Sequence, residues 1–88
     1  MESTEQSIHE KLRMLTPESV ELTDESGQHV GHEGARGGGG HYRLLIVSSQ
    51  FEGKSRIERH RMVYGALGEM MQRSVHALAI QAYTPEEL

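Results

Sequence analysis

Ile8, Leu12 and Leu15 recur four and three positions apart, which lays one apolar stripe along a short helix. Ser3 stands ahead of them with Gln6 three positions on, the pairing in which side chain and backbone cap each other at a helix start. Pro17 ends the helix, because the residue before a proline is pushed out of helical geometry. Val20 and Leu22 alternate with Glu21 and Thr23, a half-buried strand that stops at Asp24-Glu25-Ser26-Gly27. From Tyr42 to Val47 the run is almost wholly apolar, with Tyr42, Leu44 and Ile46 on one face and Leu45 and Val47 on the other. That pattern predicts a central strand covered on both sides. Ser55 and Glu58 make a second capping box, and Ile57, His60, Tyr64, Leu67 and Met71 follow at helical spacing. Gly65 and Gly68 interrupt this second helix and allow two short helices joined by a turn. Val75 to Tyr83 reads as a third strand, and Pro85-Glu86-Glu87 closes the chain. The order predicts an α+β fold, αββ(αα)β, in which Ile8, Leu12, Ile57, Leu67 and Met71 pack over a three-stranded sheet.

Residues 25–41 are too long for a hairpin turn and too rich in glycine to pack, so a mobile loop is expected there. The whole chain, residues 1–88, makes one domain, which at this size buries roughly 60–65% of the surface its unfolded form exposes. With no cysteine, neither a disulfide nor a cysteine-based zinc site staples the fold. The acidic, polar start Met1-Glu2-Ser3-Thr4-Glu5 has no apolar run behind it, so neither a secretory signal nor a membrane span is expected, and a cytoplasmic location is. A formal charge of −4 argues against a strong general polyanion binder while leaving room for local basic clusters.

The six histidines change the picture by where they fall. His29, His32 and His41 lie in or beside the glycine-rich stretch Gly27–Gly40, His60 sits between two arginines, and His76 opens the last strand. Neutral imidazole is a good ligand for zinc, copper and iron. A closed structural site usually takes four protein ligands, so two or three histidines anchor a metal without enclosing it. Such a set calls for completion by another molecule. The plainer reading makes most of these histidines solvated or hydrogen-bonded. By that reading His9 is solvated and His60, projecting with Ile57 and Tyr64, is a core-side hydrogen bonder. A self-contained zinc or copper site would need His29, His32 and His41 together.

Two short motifs carry less than they suggest. Gly53-Lys54-Ser55 looks like the end of a phosphate-binding loop, but Ser48 stands where that loop needs a glycine and Glu52 would repel phosphate. Gly65-Ala66-Leu67-Gly68 is a literal GxxG, of the kind that clamps nucleic acid in KH domains, yet it falls inside the helical stripe.

The C-terminal half has a more specific likeness. Phe51-Glu52-Gly53, Arg59-His60-Arg61-Met62-Val63-Tyr64, Val75-His76-Ala77-Leu78-Ala79-Ile80 and Tyr83-Thr84-Pro85 together closely resemble the BolA family. Asp24-Glu25-Ser26-Gly27-Gln28-His29 and Gly40-His41-Tyr42-Arg43 extend the match to about residues 7–88. The resemblance implies a mixed three-stranded sheet similar to class II KH domains. It also implies a partner, a monothiol glutaredoxin, and a [2Fe–2S] cluster shared between the two proteins, with none expected in the isolated chain. The family's own ligands, a histidine or cysteine in the loop after the first strand and a histidine opening the last, match His29 and His76. His32 is a rival loop ligand three residues from His29. The partner's cysteine and glutathione would supply thiolates and complete the set. Imidazole in place of thiolate tends to raise a cluster's reduction potential. Because imidazole binds metal only when neutral, the complex should loosen below an ordinary histidine pKa of about 6.5.

A second class competes. KH-like folds bind nucleic acid, and some BolA members are described as transcription regulators linked to stress and cell shape. Lys54, Arg56, Arg59 and Arg61 form a local basic cluster that could meet DNA phosphates. The acidic net charge and the scarcity of aromatics count against it. No nucleophile–base–acid set emerges, so an enzyme is not expected. The chain alone is expected to be a monomer or a weak homodimer.

Overall fold

A computed structural model describes residues 3–25, 40–73 and 75–88. The N-terminal helix α1 spans Thr4–Leu12 and is followed by a 3₁₀ turn, Arg13–Leu15. Two strands follow, β1 (Ser19–Asp24) and β2 (Gly40–Val47), then a 3₁₀ turn at Ser49–Phe51. Helices α2 (Arg56–Leu67) and α3 (Met70–Arg73) lead to β3 (Val75–Tyr83), and a last 3₁₀ turn covers Pro85–Glu87. The sheet order is β1-β2-β3, antiparallel between β1 and β2 and parallel between β2 and β3. This is the α+β arrangement with a mixed three-stranded sheet that the sequence leads one to expect.

Both capping boxes form. Ser3 Oγ accepts from the Gln6 amide at 3.1 Å while Gln6 returns a 3.0 Å acceptor to the Ser3 amide. Ser55 and Glu58 repeat the exchange at 3.1 and 2.8 Å. Such exchanges satisfy donors that a helix start otherwise leaves unpaired. After α1 the chain turns at Thr16, whose φ of 43° is left-handed and strained for a branched side chain. Contacts from the far side of the molecule hold the turn. The Ser48 hydroxyl, fully buried, donates to the Leu15 carbonyl at 2.7 Å, and Gln50 Nε2 donates to the Thr16 hydroxyl at 2.8 Å.

One face of the sheet carries the core. Tyr42, Leu44 and Ile46 of β2 are buried there beneath Ile8, Leu12, Leu15, Phe51, Val63, Leu67 and Met70, with Val20, Leu22, Leu78 and Ile80 half-buried around them. β2 is central, as its apolar run predicts, but it is not covered on both faces. Arg43 is exposed, Leu45 only half-buried, and the neighbouring Glu21, Ala77, Ala79 and Gln81 are exposed too.

The expected core face of α2 needs correction. Ile57 is 64% exposed and Tyr64 41% exposed, whereas Val63, Ala66 and Leu67 are buried. With 3.6 residues per turn, the inward row runs through positions 59, 62, 63, 66 and 67. Its first position holds Arg59, whose guanidinium lies 6.0 Å from the Phe51 ring centroid. A charged residue there hides the stripe from a reading based on apolar periodicity, and Ile57 and Tyr64 fall on the opposite side. The split into α2 and α3 is as expected. Gly68 ends α2 at φ 55°, ψ −126°, a conformation that side chains avoid.

The corrected face gives a direct test in paired alanine variants. Leu67→Ala should cost about 2–5 kcal/mol of unfolding free energy through the cavity it leaves. Ile57→Ala should stay within about 0.5 kcal/mol, as exposed substitutions do. Urea denaturation of the two variants measures both.

Candidate functional site

Two places on the molecule gather the residues that carry chemistry, and they lie at opposite ends of β3. The first is the end where β1 stops and β2 and β3 begin. Asp24 pairs with Tyr42, the Glu25 amide donates to the His41 carbonyl at 2.7 Å, and Arg43 Nε meets Glu25 Oε2 at 3.1 Å. Residues 26–39 therefore leave and rejoin the described chain beside the start of β3. His29 and His32 lie outside the described residues, as does nearly all of the expected loop 25–41.

His76 sits in β3 at an irregular step. Gly40 is in register with Val75, but the next residue, His41, is in register with Ala77. His76 is thus the extra residue of a β-bulge. Bulges re-aim a side chain and bend the strand locally, and they recur beside functional sites. His41, half-buried, borders the bulge on β2. Tyr42 beside it is 7% exposed, and burial, with Asp24 and Glu5 nearby, pushes its phenol pKa up. No group of three or more metal-capable side chains occurs among the described residues. With cysteine absent, the donors at this end are imidazoles and carboxylates.

The second place is a groove of about 420 Å³ between the first turns of α2 and the far end of β3, lined by Lys54, Arg56, His60, Ile80 and Ala82 among others. At about 3.3 Å per residue, its wall begins at Ile80, about 13 Å along β3 from His76. Three of the four basic candidates, Lys54, Arg56 and Arg59, come together here, while Arg61 is exposed on α2 outside the groove. Arg59 is already engaged. Its Nη1 donates to the Ala82 carbonyl at 3.0 Å and to Glu87 Oε1 at 2.6 Å, Nη2 to Glu87 Oε2 at 3.1 Å, and Nε to the Lys54 carbonyl at 3.0 Å. The Thr84 amide donates to the same Glu87 carboxylate at 2.7 Å. Neither this clamp nor the bulge is visible in apolar periodicity. Thr84-Pro85-Glu86-Glu87 does have capping-box spacing, which was the available signal for Glu87. His60 is half-buried on the groove wall, and His9 is exposed as expected.

A small mixed three-stranded sheet with helices on one face defines a class of domain. The family model for BolA-like protein matches residues 12–87. Mouse BolA-like protein 1 is 49% identical over 84 residues, covering 94% of this chain and 59% of that protein. The Escherichia coli protein named DNA-binding transcriptional regulator BolA is 40% identical over 81 residues, covering 91% of this chain and 74% of that one. Among solved structures, the BolA domain of SufE1 from Arabidopsis thaliana superposes with a TM-score of 0.84 at 42% identity, covering 100% of this chain and 99% of that one. The chain belongs to the BolA-like family. It spans about three fifths of the length of the mammalian relatives it matches. Among the described residues no helix is long and apolar enough to cross a membrane.

The Arg59 clamp holds the Glu87 carboxyl down at a pKa of about 2, first through the guanidinium and next through the Thr84 amide. An unfolded glutamate titrates near 4.3. A depressed pKa contributes stability that is present above the unfolded value and lost as pH falls toward about 2. Glu87→Gln should therefore lower the thermal midpoint at pH 7 and flatten its decline between about pH 4.5 and 2. The Glu58 carboxyl, lowered by the Ser55 cap, leaves a residual slope that Glu58→Gln removes separately.

Proposed function

We propose that this chain is a non-enzymatic adaptor that binds a monothiol glutaredoxin and shares a [2Fe–2S] cluster with it, in iron–sulfur handling or iron sensing. The observation that carries the reading is the placement of His76 as the extra residue of a bulge, beside the point where the chain segment holding His29 and His32 leaves and rejoins the sheet. His29 lies four residues past Glu25, and His32 lies seven past it and eight before Gly40. At about 3.3 Å per residue both can span the one or two strand spacings to β3, so either can be the loop ligand. A pair of imidazoles fits one iron of such a cluster, since two histidines replace two cysteines on one iron in Rieske centres. The remaining ligands must be thiolates from elsewhere, because this chain has none. When bound, the cluster supplies electron transfer or an iron–sulfur unit to pass on. This chain's residues would position it: His76 from a strand held by ladder pairing, the loop histidine from the segment between β1 and β2. Cytoplasmic residence belongs to the same reading, although one relative is named as a chloroplastic and mitochondrial protein.

A second reading, a KH-like nucleic-acid-binding regulator, draws on the groove basic cluster and on the name of the Escherichia coli relative. Gly65 lies inside α2 and Gly68 at its end, so the GxxG is not a free loop between helices. Arg59 is committed to Glu87, which leaves Lys54, Arg56 and Arg61 to meet phosphates. DNA binding that weakens steeply with salt, at a slope set by those contacts, would favour it.

Mixing the chain with a cluster-loaded monothiol glutaredoxin and following visible absorption and circular dichroism tests the adaptor reading. His76→Ala should shorten the cluster's lifetime in the heterocomplex at least about tenfold while thermal unfolding stays cooperative. His29→Ala should alter the spectrum and His32→Ala leave it unchanged; the reverse moves the ligand to His32. A spectrum unmoved by His76→Ala sinks the cluster role.

A further inference from the structure

The outer edge of β3 and the groove beside it make a second candidate interface. Backbone direction along β3 is set by two bonds. The Tyr83 carbonyl accepts from the Ser48 amide at 2.9 Å, so it points toward β2, and the Ala82 carbonyl, one residue earlier, points away and accepts from Arg59. Successive residues along a strand alternate in this respect, so the amides and carbonyls of Leu78 and Ile80 also point outward. Among the described residues no strand lies on that side. An edge of this kind is a template for a further strand unless something blocks it. Among the described residues Arg59 is the side chain that hydrogen-bonds to this edge, at Ala82, so an added strand must stop short of that residue.

The groove also has a sign. Glu87 balances Arg59, whereas Lys54 and Arg56 are exposed and form no ion pair with a described residue. Ile80 and Ala82 give it an apolar floor, and its 420 Å³ falls within the range of about 300–1,000 Å³ typical of ligand clefts. We propose that this groove binds an extended acidic segment of a partner protein, which adds as a strand along Leu78 and Ile80 and sets its carboxylates against Lys54 and Arg56. A peptide matches the edge in repeat and in hydrogen-bonding groups. A nucleic acid offers no such ladder and finds only the half-buried Tyr83 as an aromatic surface in the groove. The site goes beyond the cluster reading, since it shares no residue with the histidine end.

The test is an amide NMR titration of the full chain with an acetylated, amidated hexapeptide of alternating valine and glutamate. Shifts should centre on residues 54–60 and 78–83. The charge-reversing pair K54E/R56E, at exposed positions, should weaken binding at least about tenfold with the thermal midpoint unchanged. Methylating one alternate set of peptide nitrogens should abolish binding, and methylating the other set should not. The proposal is overturned by no binding at millimolar peptide, by shifts centred elsewhere, by indifference to both the charge reversal and the methylation, or by a single-stranded hexanucleotide that binds these residues more tightly than the peptide does.

Discussion

Parallel pairing of β2 with β3 is the constraint from which the rest of the molecule follows. A parallel neighbour cannot be reached by a tight turn; the chain must leave one end of the sheet and return at the other. Here the crossover consists of α2 and α3, and with α1 it covers the face that presents Tyr42, Leu44 and Ile46. The same constraint brings the start of β3 beside the start of β2, and hence beside the base of the 26–39 segment. It also leaves β3 as an edge, with the end of that edge lying against the beginning of α2.

Much of this was legible in the residues because it depends on local chemistry. Ser3 with Gln6 and Ser55 with Glu58 announce helix starts, and alternation in β1 and the apolar run of β2 announce strands; each forms where its signal lies. What escaped depends on pairing between distant parts of the chain. The inward row of α2 begins with an arginine, so apolar periodicity selected the row containing Ile57 instead. Ser48 reads as an ordinary turn residue, and only the tertiary fold buries it against the Leu15 carbonyl. The bulge at His76 is a mismatch of one residue between two strands, and no property of Val75-His76-Ala77 by itself records it. The candidate site was accordingly legible in residue type but not in backbone geometry. His76 could be picked out as a histidine opening a strand, not as the residue set apart by an irregular ladder.

Arg59 shows how one side chain serves several structural ends. An arginine on the buried side of a helix must satisfy its donors or carry a large desolvation penalty. It does so with the Lys54 and Ala82 carbonyls and both oxygens of Glu87. Those bonds tie together the start of α2, the edge of β3 and the C-terminal 3₁₀ turn. A lysine could reach one of these acceptors but has no planar fork with which to hold a carboxylate at two points. This makes Arg59 a poor candidate for an external phosphate even though it stands in the most basic part of the sequence. Position along the chain and availability at the surface are different properties.

The two ends of β3 are shaped by different devices. At one end the bulge leaves His76 out of step with β2, and at the other Arg59 ties the edge down at Ala82. Between them lie Leu78 and Ile80, half-buried on the core side, whose backbone groups face outward. A strand added there would supply new hydrogen bonds to a segment otherwise paired on one side only and would restrain its local opening. His76 lies about 13 Å along the strand from Ile80 on the groove wall, and both ends are built on one continuous strand.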